Sequence, residues 1–371
     1  MAHAQFPFWP QRGFWPSFYA PHRHKHARHL NPETAKNVRS EAPKGPLQII
    51  ISIPDQRVSL YENDALIARS SVSTGVRLHP TPIGVFSVIG KQRWHRSNIY
   101  SGAPMPYMQR ITWSGIALHA GVLPGYPASH GCIRLTNDFA IRLWHLTRRG
   151  TRVIIAPDDV RPVEITSSRL FKRKVPSAPP EPPLTTDPGN SLGTAEVADS
   201  SPASVAGAQE AAGIPISSPP SAPAVSRKSV PISVFISRSM SKLFVRQGFS
   251  PLFEAPVKIQ NPQEPIGTHV FTAVESADAG ADLRWIVVSM PSEVHPVIGR
   301  SAKWRGKPER QMVGISLPTP SPDTALERIE IPQDAIERIS ELLTPASSLI
   351  VSDSGFSRET GRDTDFIVVM H

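Results

Sequence analysis

Ala117-Leu118-His119-Ala120-Gly121 and, a short loop later, Ser129-His130-Gly131-Cys132-Ile133-Arg134-Leu135 organise this chain. The second stretch holds the only cysteine among 371 residues. A thiol is a useful nucleophile only as thiolate, and a neighbouring imidazole is the usual device for generating one near neutral pH. The pattern Gly115-Ile116-Ala117-Leu118 reads as a strand delivering His119 at its end, so that the ring can be held at hydrogen-bond distance from a partner. Two bland readings stand beside this one. A lone cysteine is commonly a small buried hydrophobe, and a histidine beside a loop glycine is commonly structural.

Upstream of that pair, Gln48-Ile49-Ile50-Ile51-Ser52-Ile53 reads as a strand and Pro54-Asp55-Gln56 as a turn. Arg57-Val58-Ser59-Leu60-Tyr61 alternates as a second strand, Glu62-Asn63-Asp64 turns, and Ala65 to Thr74 forms a third. Thr81-Pro82-Ile83-Gly84-Val85-Phe86 leads into another strand, and Ile111-Thr112-Trp113 into one more. Downstream, Thr136 or Asn137 caps a helix through Leu146 with Ala140, Leu143, Trp144 and Leu146 on its apolar stripe. Gly150 stops it, and Val153-Ile154-Ile155 closes the sheet. The expectation is a mainly β domain over 46–158, with one helix after the loop that carries the cysteine, large enough for its own core.

Composition sets the frame. Forty prolines and a hydrophobic fraction of 39% suit two or three ordered domains joined by extended segments. A net charge of +9 favours a polyanionic or carboxylate-rich partner. No aromatic-basic RNA motif or zinc-ligand spacing accompanies it, which argues against nucleic acid. One cysteine permits no internal disulfide. No run of about 18 apolar residues is present, so no transmembrane helix is expected. Residues 1–45, with His22, His24, His26 and His29, read as a disordered, basic, His-rich tail rather than a metal site. Ala2-His3-Ala4 has the small-x-small form of a signal-peptidase site, which raises the expectation of a start codon placed downstream of an export signal. Residues 159–229 read as a Pro/Ser/Ala-rich linker.

Residues 230–371 echo the earlier domain. Ile236 to Phe244 repeats Ile53 to Tyr61 at an offset of 183 (243 − 60 = 183), and Pro265-Ile266-Gly267 repeats Pro82-Ile83-Gly84. Ile331-Pro332-Gln333-Asp334 repeats Leu135-Thr136-Asn137-Asp138 at 196 (334 − 138 = 196), and Leu349-Ile350-Val351 repeats Val153-Ile154-Ile155. At the later offset Leu326, Glu327 and Arg328 replace His130, Gly131 and Cys132, and aligning Gly115-Ile116-Ala117-Leu118 with Gly314-Ile315-Ser316-Leu317 puts Pro318 in place of His119. The expectation is a second β-rich domain of the same fold without the Cys/His pair.

Thr81-Pro82-Ile83-Gly84-Val85-Phe86, Met105-Pro106-Tyr107, Leu118-His119-Ala120-Gly121 and Ser129-His130-Gly131-Cys132-Ile133-Arg134-Leu135, in that order, resemble the YkuD-type L,D-transpeptidase catalytic domain of bacterial cell-wall enzymes. Ala120 departs from the glycine often found there, at a position where the family uses the main chain. The resemblance implies a mixed-sheet β-sandwich and a thioester acyl-enzyme on Cys132. His119 would serve as base, oriented through the carbonyl of Ala120. His130 would order the loop or donate to the oxyanion, and Gly131 would let amide N–H groups form the oxyanion hole. Arg134 would hold a substrate carboxylate and Ser129 would brace the loop. Tyr107 and Met105 are expected to line the substrate groove or to serve as core. No cofactor or metal is implied; His119, His130 and Cys132 on zinc would lack a fourth ligand.

The same resemblance implies peptidoglycan tetrapeptide stems as substrate. The acceptor would be a stem diamino acid, which gives a cross-link, an amine of an envelope protein, which gives anchoring, or water, which gives an L,D-carboxypeptidase. It also implies export to a periplasm, a part in cell-wall biogenesis and cell shape, and acylation by carbapenems. A rival is a non-catalytic peptidoglycan-binding scaffold.

Overall fold

In a computed structural model, the described residues are 43–98, 102–174, 230–276, 283–291, 296–298, 312–314, 319–361 and 363–370. The His-rich stretch, the 1–45 tail up to residue 42, and residues 175–229 of the expected linker lie outside them. Among the described residues, no helix is long and apolar enough to cross a membrane.

The first half contains β1 (Leu47–Ser52), β2 (Arg57–Glu62), β3 (Ala65–Ser73), β4 (Gly84–Ser87), β5 (Gly90–Gln92), β6 (Met108–Arg110), β7 (Ala117–Ala120), β8 (Ile133–Leu135), α1 (Asn137–Leu146) and β9 (Arg152–Ala156). After β10 (Val163–Ile165) come β11 (Ile232–Ser237), β12 (Lys242–Gln247), β13 (Ser250–Pro256), β14 (Lys258–Ile259), β15 (Thr268–Glu275) and β16 (Leu283–Met290). The remainder is β17 (Pro296–Ile298), β18 (Met312–Gly314), α2 (Pro322–Glu327), β19 (Ile329–Glu330), α3 (Gln333–Leu342), β20 (Ser348–Ser352) and β21 (Val368–Val369). The fold is mainly β, and its sheets are mixed: β1 pairs parallel to β9, β7 to β8 and β11 to β20, while the other strand pairs are antiparallel.

The Ile-Ile-Ile run of β1 shows why both faces of this strand are covered. Ile49 and Ile51 join one core with Leu60, Phe86, Leu118, Ile133, Leu135 and Leu143, beneath α1. Ile50 points the other way, into a cluster with Tyr61, Val85 and Ile154 from the first half and Phe235, Val270, Val288 and Ile350 from the second. Alternate side chains of a strand leave on opposite faces, so an uninterrupted apolar run requires burial on both sides. A third core lies on the far face of the second sheet, around Val234, Ile236, Phe271 and Leu349. Burying each such aliphatic side chain contributes on the order of 1.5–3 kcal/mol.

Thr136 caps α1, accepting from the N–H of Phe139. The helix buries Phe139, Ala140 and Leu143, leaving Trp144 and Leu146 half-buried. Two expectations are corrected here. Ile111 to Trp113 is no strand: strand pairing stops at Arg110, and residues 111–116 form a turn with Gly115 at φ 111°. Nor does the linker begin at 159. Val163–Ile165 pairs antiparallel to β16, and Leu170 and Phe171 are buried in the second half's core.

In the second sheet β15-β20-β11-β12-β13 follow one another as β4-β9-β1-β2-β3 do in the first, with matching directions. The later echo keeps its offset: α3 and β20 start 196 residues after α1 and β9 (348 − 152 = 196). The earlier one shifts by two. Leu243 pairs with Ile236 as Val58 pairs with Ile51, so the offset is 185 (243 − 58 = 185) rather than 183. A slip of two preserves the inward and outward alternation of a strand, which is why residue similarity alone does not detect it.

Each half also lends a strand to the other. β10, which follows β9, pairs with β16, and β21, from the C-terminal tail, pairs with β4. Gly84 makes the second exchange possible: a Cβ there would stand 2.0 Å from the carbonyl oxygen of Val368.

Candidate active site

β7 and β8 run side by side and parallel, with His119 opposite Arg134 and Leu118 opposite Ile133. Cys132 immediately precedes β8, half-buried against Met105, Met108 and Ala117. Its Sγ–H points at the carbonyl oxygen of Gly115, 3.6 Å away. A cleft of about 260 Å³ opens over the thiol, lined among others by His95, Arg110, Trp113, Gly115 and His130.

His119 is buried, 8% exposed, and its Nδ1 lies 2.8 Å from the carbonyl oxygen of Ala120. A carbonyl only accepts, so Nδ1 carries the hydrogen and Nε2 keeps its lone pair. Burial holds the imidazole below its ordinary 6.5, the Ala120 carbonyl pulls the other way, and the charge of Arg134 and then His95 lower it further. Burial likewise raises the Cys132 thiol above its ordinary 9.0, opposed by a backbone hydrogen bond at Ala117 and by Arg134. Desolvation disfavours both charged forms, so the resting site holds a neutral thiol and a neutral imidazole.

The loop between the strands is built from its own side chains. The Ser129 hydroxyl donates to the Cys132 carbonyl and accepts from the Gly131 N–H at 3.1 Å. Thr81 donates to the Gly131 carbonyl at 2.8 Å and accepts from the Gly75 N–H at 2.8 Å. Gly131 sits at φ 105°, where L side chains are strained, and a Cβ would meet Ile116 at 2.7 Å. His130 is exposed on the cleft wall, its ring 5.0 Å from that of His79.

The expected residues separate as follows. Cys132, His130 and Met105 face the cleft. Ala120 supplies the carbonyl that orients His119, Ser129 ties the loop, and Arg134 acts electrostatically on both His119 and Cys132. Tyr107 is not among the residues lining the cleft: at φ 56°, it packs on the main core and edge-on to Trp144, 6.2 Å between rings. Sequence reasoning gave no role to Thr81, His95, Arg110 or the 112–115 turn. Thr81 was visible within its motif; the others converge only through the pairing of β5, β6 and β7.

The second half carries a loop closed by an arginine, Arg328. β14 and β19 pair Lys258 with Glu330 as β3 and β8 pair Ser73 with Arg134. As Cys132 lies two residues before Arg134, Arg328 lies two before Glu330. Its guanidinium donates to the carbonyls of Gln260, Asn261, Glu264 and Pro265, filling the loop above it. Residues 315–318, where Pro318 was aligned with His119, lie outside the described residues. Among the described residues there is no group of three or more His, Cys, Asp or Glu placed to hold a metal ion.

Residues 46–155 match the family model for the L,D-transpeptidase catalytic domain, YkuD. Two curated relatives are the YkuD proteins of Bacillus licheniformis and Bacillus subtilis, both named as candidate L,D-transpeptidases. The first is 29% identical over 116 residues and the second 30% over 114; each match covers 30% of this chain and 67% and 66% of the relative. Among solved structures, an L,D-transpeptidase from Mycobacterium smegmatis is similar at 21% identity and TM-score 0.28, covering 29% of this chain and 58% of that one. One from Mycobacterium tuberculosis H37Rv is similar at 25% identity and TM-score 0.28, covering 29% and 57%. The chain therefore spans about two thirds of the curated relatives and under two thirds of these structures.

Proposed function

With residues 46–155 forming an L,D-transpeptidase catalytic domain of the YkuD family, we propose that this protein transfers acyl groups from peptidoglycan tetrapeptide stems through a thioester on Cys132. The observation that supports the reading is a half-buried thiol lining a cleft, one residue before the strand that pairs in parallel with the strand carrying His119, whose Nδ1–H is committed to Ala120.

His119 Nε2 takes the thiol proton as sulfur attacks the carbonyl preceding the terminal D-alanine. The tetrahedral oxyanion is met by the main-chain N–H of Cys132, with His130 at the cleft wall; the Gly131 N–H is already committed to Ser129. The carbon–nitrogen bond then breaks, the proton passes to the departing amine, and D-alanine leaves. An acceptor amine attacks the thioester, loses its proton to His119, and the thiol is restored. Arg134 assists by favouring the thiolate. A stem amine as acceptor gives a cross-link, a protein amine gives an anchored protein, and water gives a trimmed stem.

The second half is, in this proposal, a copy of the same domain whose chemistry has been replaced by structure, a reading supported by the shared strand order and by Arg328. Peptidoglycan lies outside the cytoplasmic membrane, so the protein acts there, in a periplasm.

The test is mass spectrometry of purified protein with a stem tetrapeptide. Wild type is expected to gain the acyl mass and to lose it when an amine is added, while Cys132→Ala gains none. An equal adduct on both proteins would remove Cys132 as nucleophile. Wall digests with and without the gene then separate cross-linking, anchoring and trimming.

A further inference from the structure

The C-terminal tail reaches the wall of the cleft through one carboxylate. Glu359 accepts from the N–H of Trp113 at 2.7 Å through one oxygen and from the N–H of Ser114 at 2.9 Å through the other. These are two successive main-chain donors at the tip of the turn after β6. A carboxylate across adjacent amides makes charge-assisted bonds and fixes the orientation of both peptide planes.

That turn is connected to the thiol. Gly115 N–H donates to Thr112 O at 3.3 Å, and Ile116 N–H to Thr112 Oγ1 at 2.9 Å, so the peptide planes of 112–116 are interlocked. The Gly115 carbonyl is the acceptor for Cys132 Sγ–H. Ile116 packs against Gly131, leaving no space for even a Cβ there. Trp113, Ser114, Gly115 and Ile116 together form one wall of the cleft.

Glu359 is itself held in place. Ser357 Oγ accepts from the Glu359 N–H, Thr364 Oγ1 donates to the Glu359 carbonyl, and Thr360 exchanges hydrogen bonds with Ile367 through its hydroxyl. Ile367 immediately precedes β21, which is paired to β4 in the sheet of the first half. The carboxylate is thus presented by a braced loop on a strand lent by the second half.

We propose that Glu359 is a positioning residue for the acyl-transfer site: it sets the 113–115 turn, and through the Gly115 carbonyl the resting orientation of the Cys132 thiol. This rests on the reading of Cys132 as the nucleophile. The second half would then act on the chemistry without carrying any of it. It would also make the site incomplete in a chain cut before residue 359.

Two variants of the full chain test it, Glu359→Ala and Glu359→Gln, by acylation with a stem tetrapeptide and by alkylation of Cys132 with iodoacetamide across pH. Losing both acceptors is expected to lower the acylation rate constant about tenfold or more, with a smaller loss for Gln, which keeps one carbonyl oxygen. The alkylation midpoint should fall in Glu359→Ala, because a displaced Gly115 carbonyl no longer stabilises the protonated thiol. A merely structural contact would lower the melting temperature and leave the midpoint where it is. Wild-type acylation together with a wild-type midpoint in Glu359→Ala overturns the proposal. If Glu359→Ala does not fold, the same two readouts on Glu359→Gln decide. If the wild type takes no acyl group, the functional reading fails, while the midpoint still tests the clamp.

Discussion

Nδ1 of His119 lies 2.8 Å from the carbonyl oxygen of Ala120, its own chain neighbour. The bond runs along β7 and leaves Nε2 as the ring's basic atom. His119→Ala is therefore expected to reduce acylation by about 10²–10⁴, the range of general-base catalysis. His130→Ala, which removes an exposed ring from the cleft wall, should cost less. Stopped-flow acylation of the two variants ranks them; a larger loss at His130 would mean the roles are exchanged.

The neutral resting pair has a pH signature. Burial and the Arg134 charge depress His119, so the acid limb of acylation should fall below pH 6.5, where the imidazole becomes protonated and can accept nothing. Burial raises Cys132, so the thiolate absorbance should appear only above pH 9.0. The chain has a single cysteine and five tyrosines, so subtracting the same titration of Cys132→Ala removes the tyrosinate absorbance and leaves that of one thiolate. Thiolate absorbance at neutral pH in the free enzyme would show an ion pair instead.

What could be read in the sequence follows from how local each feature is. The β1–β3 meander, the Thr136 cap and the Cys132 loop are encoded within a few residues by alternation, capping chemistry and glycine placement. The packing partner of Ile50 is not: the triple-isoleucine run announces two-sided burial, but Phe235 and Ile350, which cover it, stand far along the chain. The same holds for the cleft. His119 and Cys132 lie in one motif, whereas Glu359 meets Trp113 only because β21 is paired to β4. Tyr107 was open between groove and core in the sequence, and its packing on the core and against Trp144 depends on residues distant in the chain.

His269 makes the second half sensitive to acid. It is fully buried, with Nε2 donating to Ile266 O at 2.9 Å and Nδ1 accepting from Ser289 Oγ at 2.8 Å. Burial, only partly opposed by the Ile266 carbonyl and Asp353, lowers its pKa from 6.5 to about 4. The unfolded chain then binds a proton that the folded one does not, so stability is present above pH 6.5 and lost as pH falls toward 4. The full loss is about 3 kcal/mol, from roughly 1.4 kcal/mol per unit. Denaturant unfolding between these pH values should show this slope, and His269→Gln should flatten it while lowering stability throughout.

The joint between the halves contains a buried ion pair whose removal should be costly on one side only. Arg152 of β9 donates to Asp365 at 2.7 Å with both side chains under a tenth exposed, and Ser233 also donates to that carboxylate at 2.9 Å. Taking two charges out of water costs most of what their attraction returns, whereas removing one strands the other. Arg152→Met is therefore expected to destabilise the fold by about 3–5 kcal/mol. Adding Asp365→Leu should restore part of that loss: the stranded carboxylate is gone, but buried Arg246 loses the attraction of Asp365. Lys174–Glu341, whose side chains are 60% and 56% exposed, is the internal control: solvent screens it, and Lys174→Ala should leave the urea midpoint unchanged. A double variant as unstable as the single one would place the energy of this joint in the Ser233 and Arg152 hydrogen bonds rather than in the stranded charge.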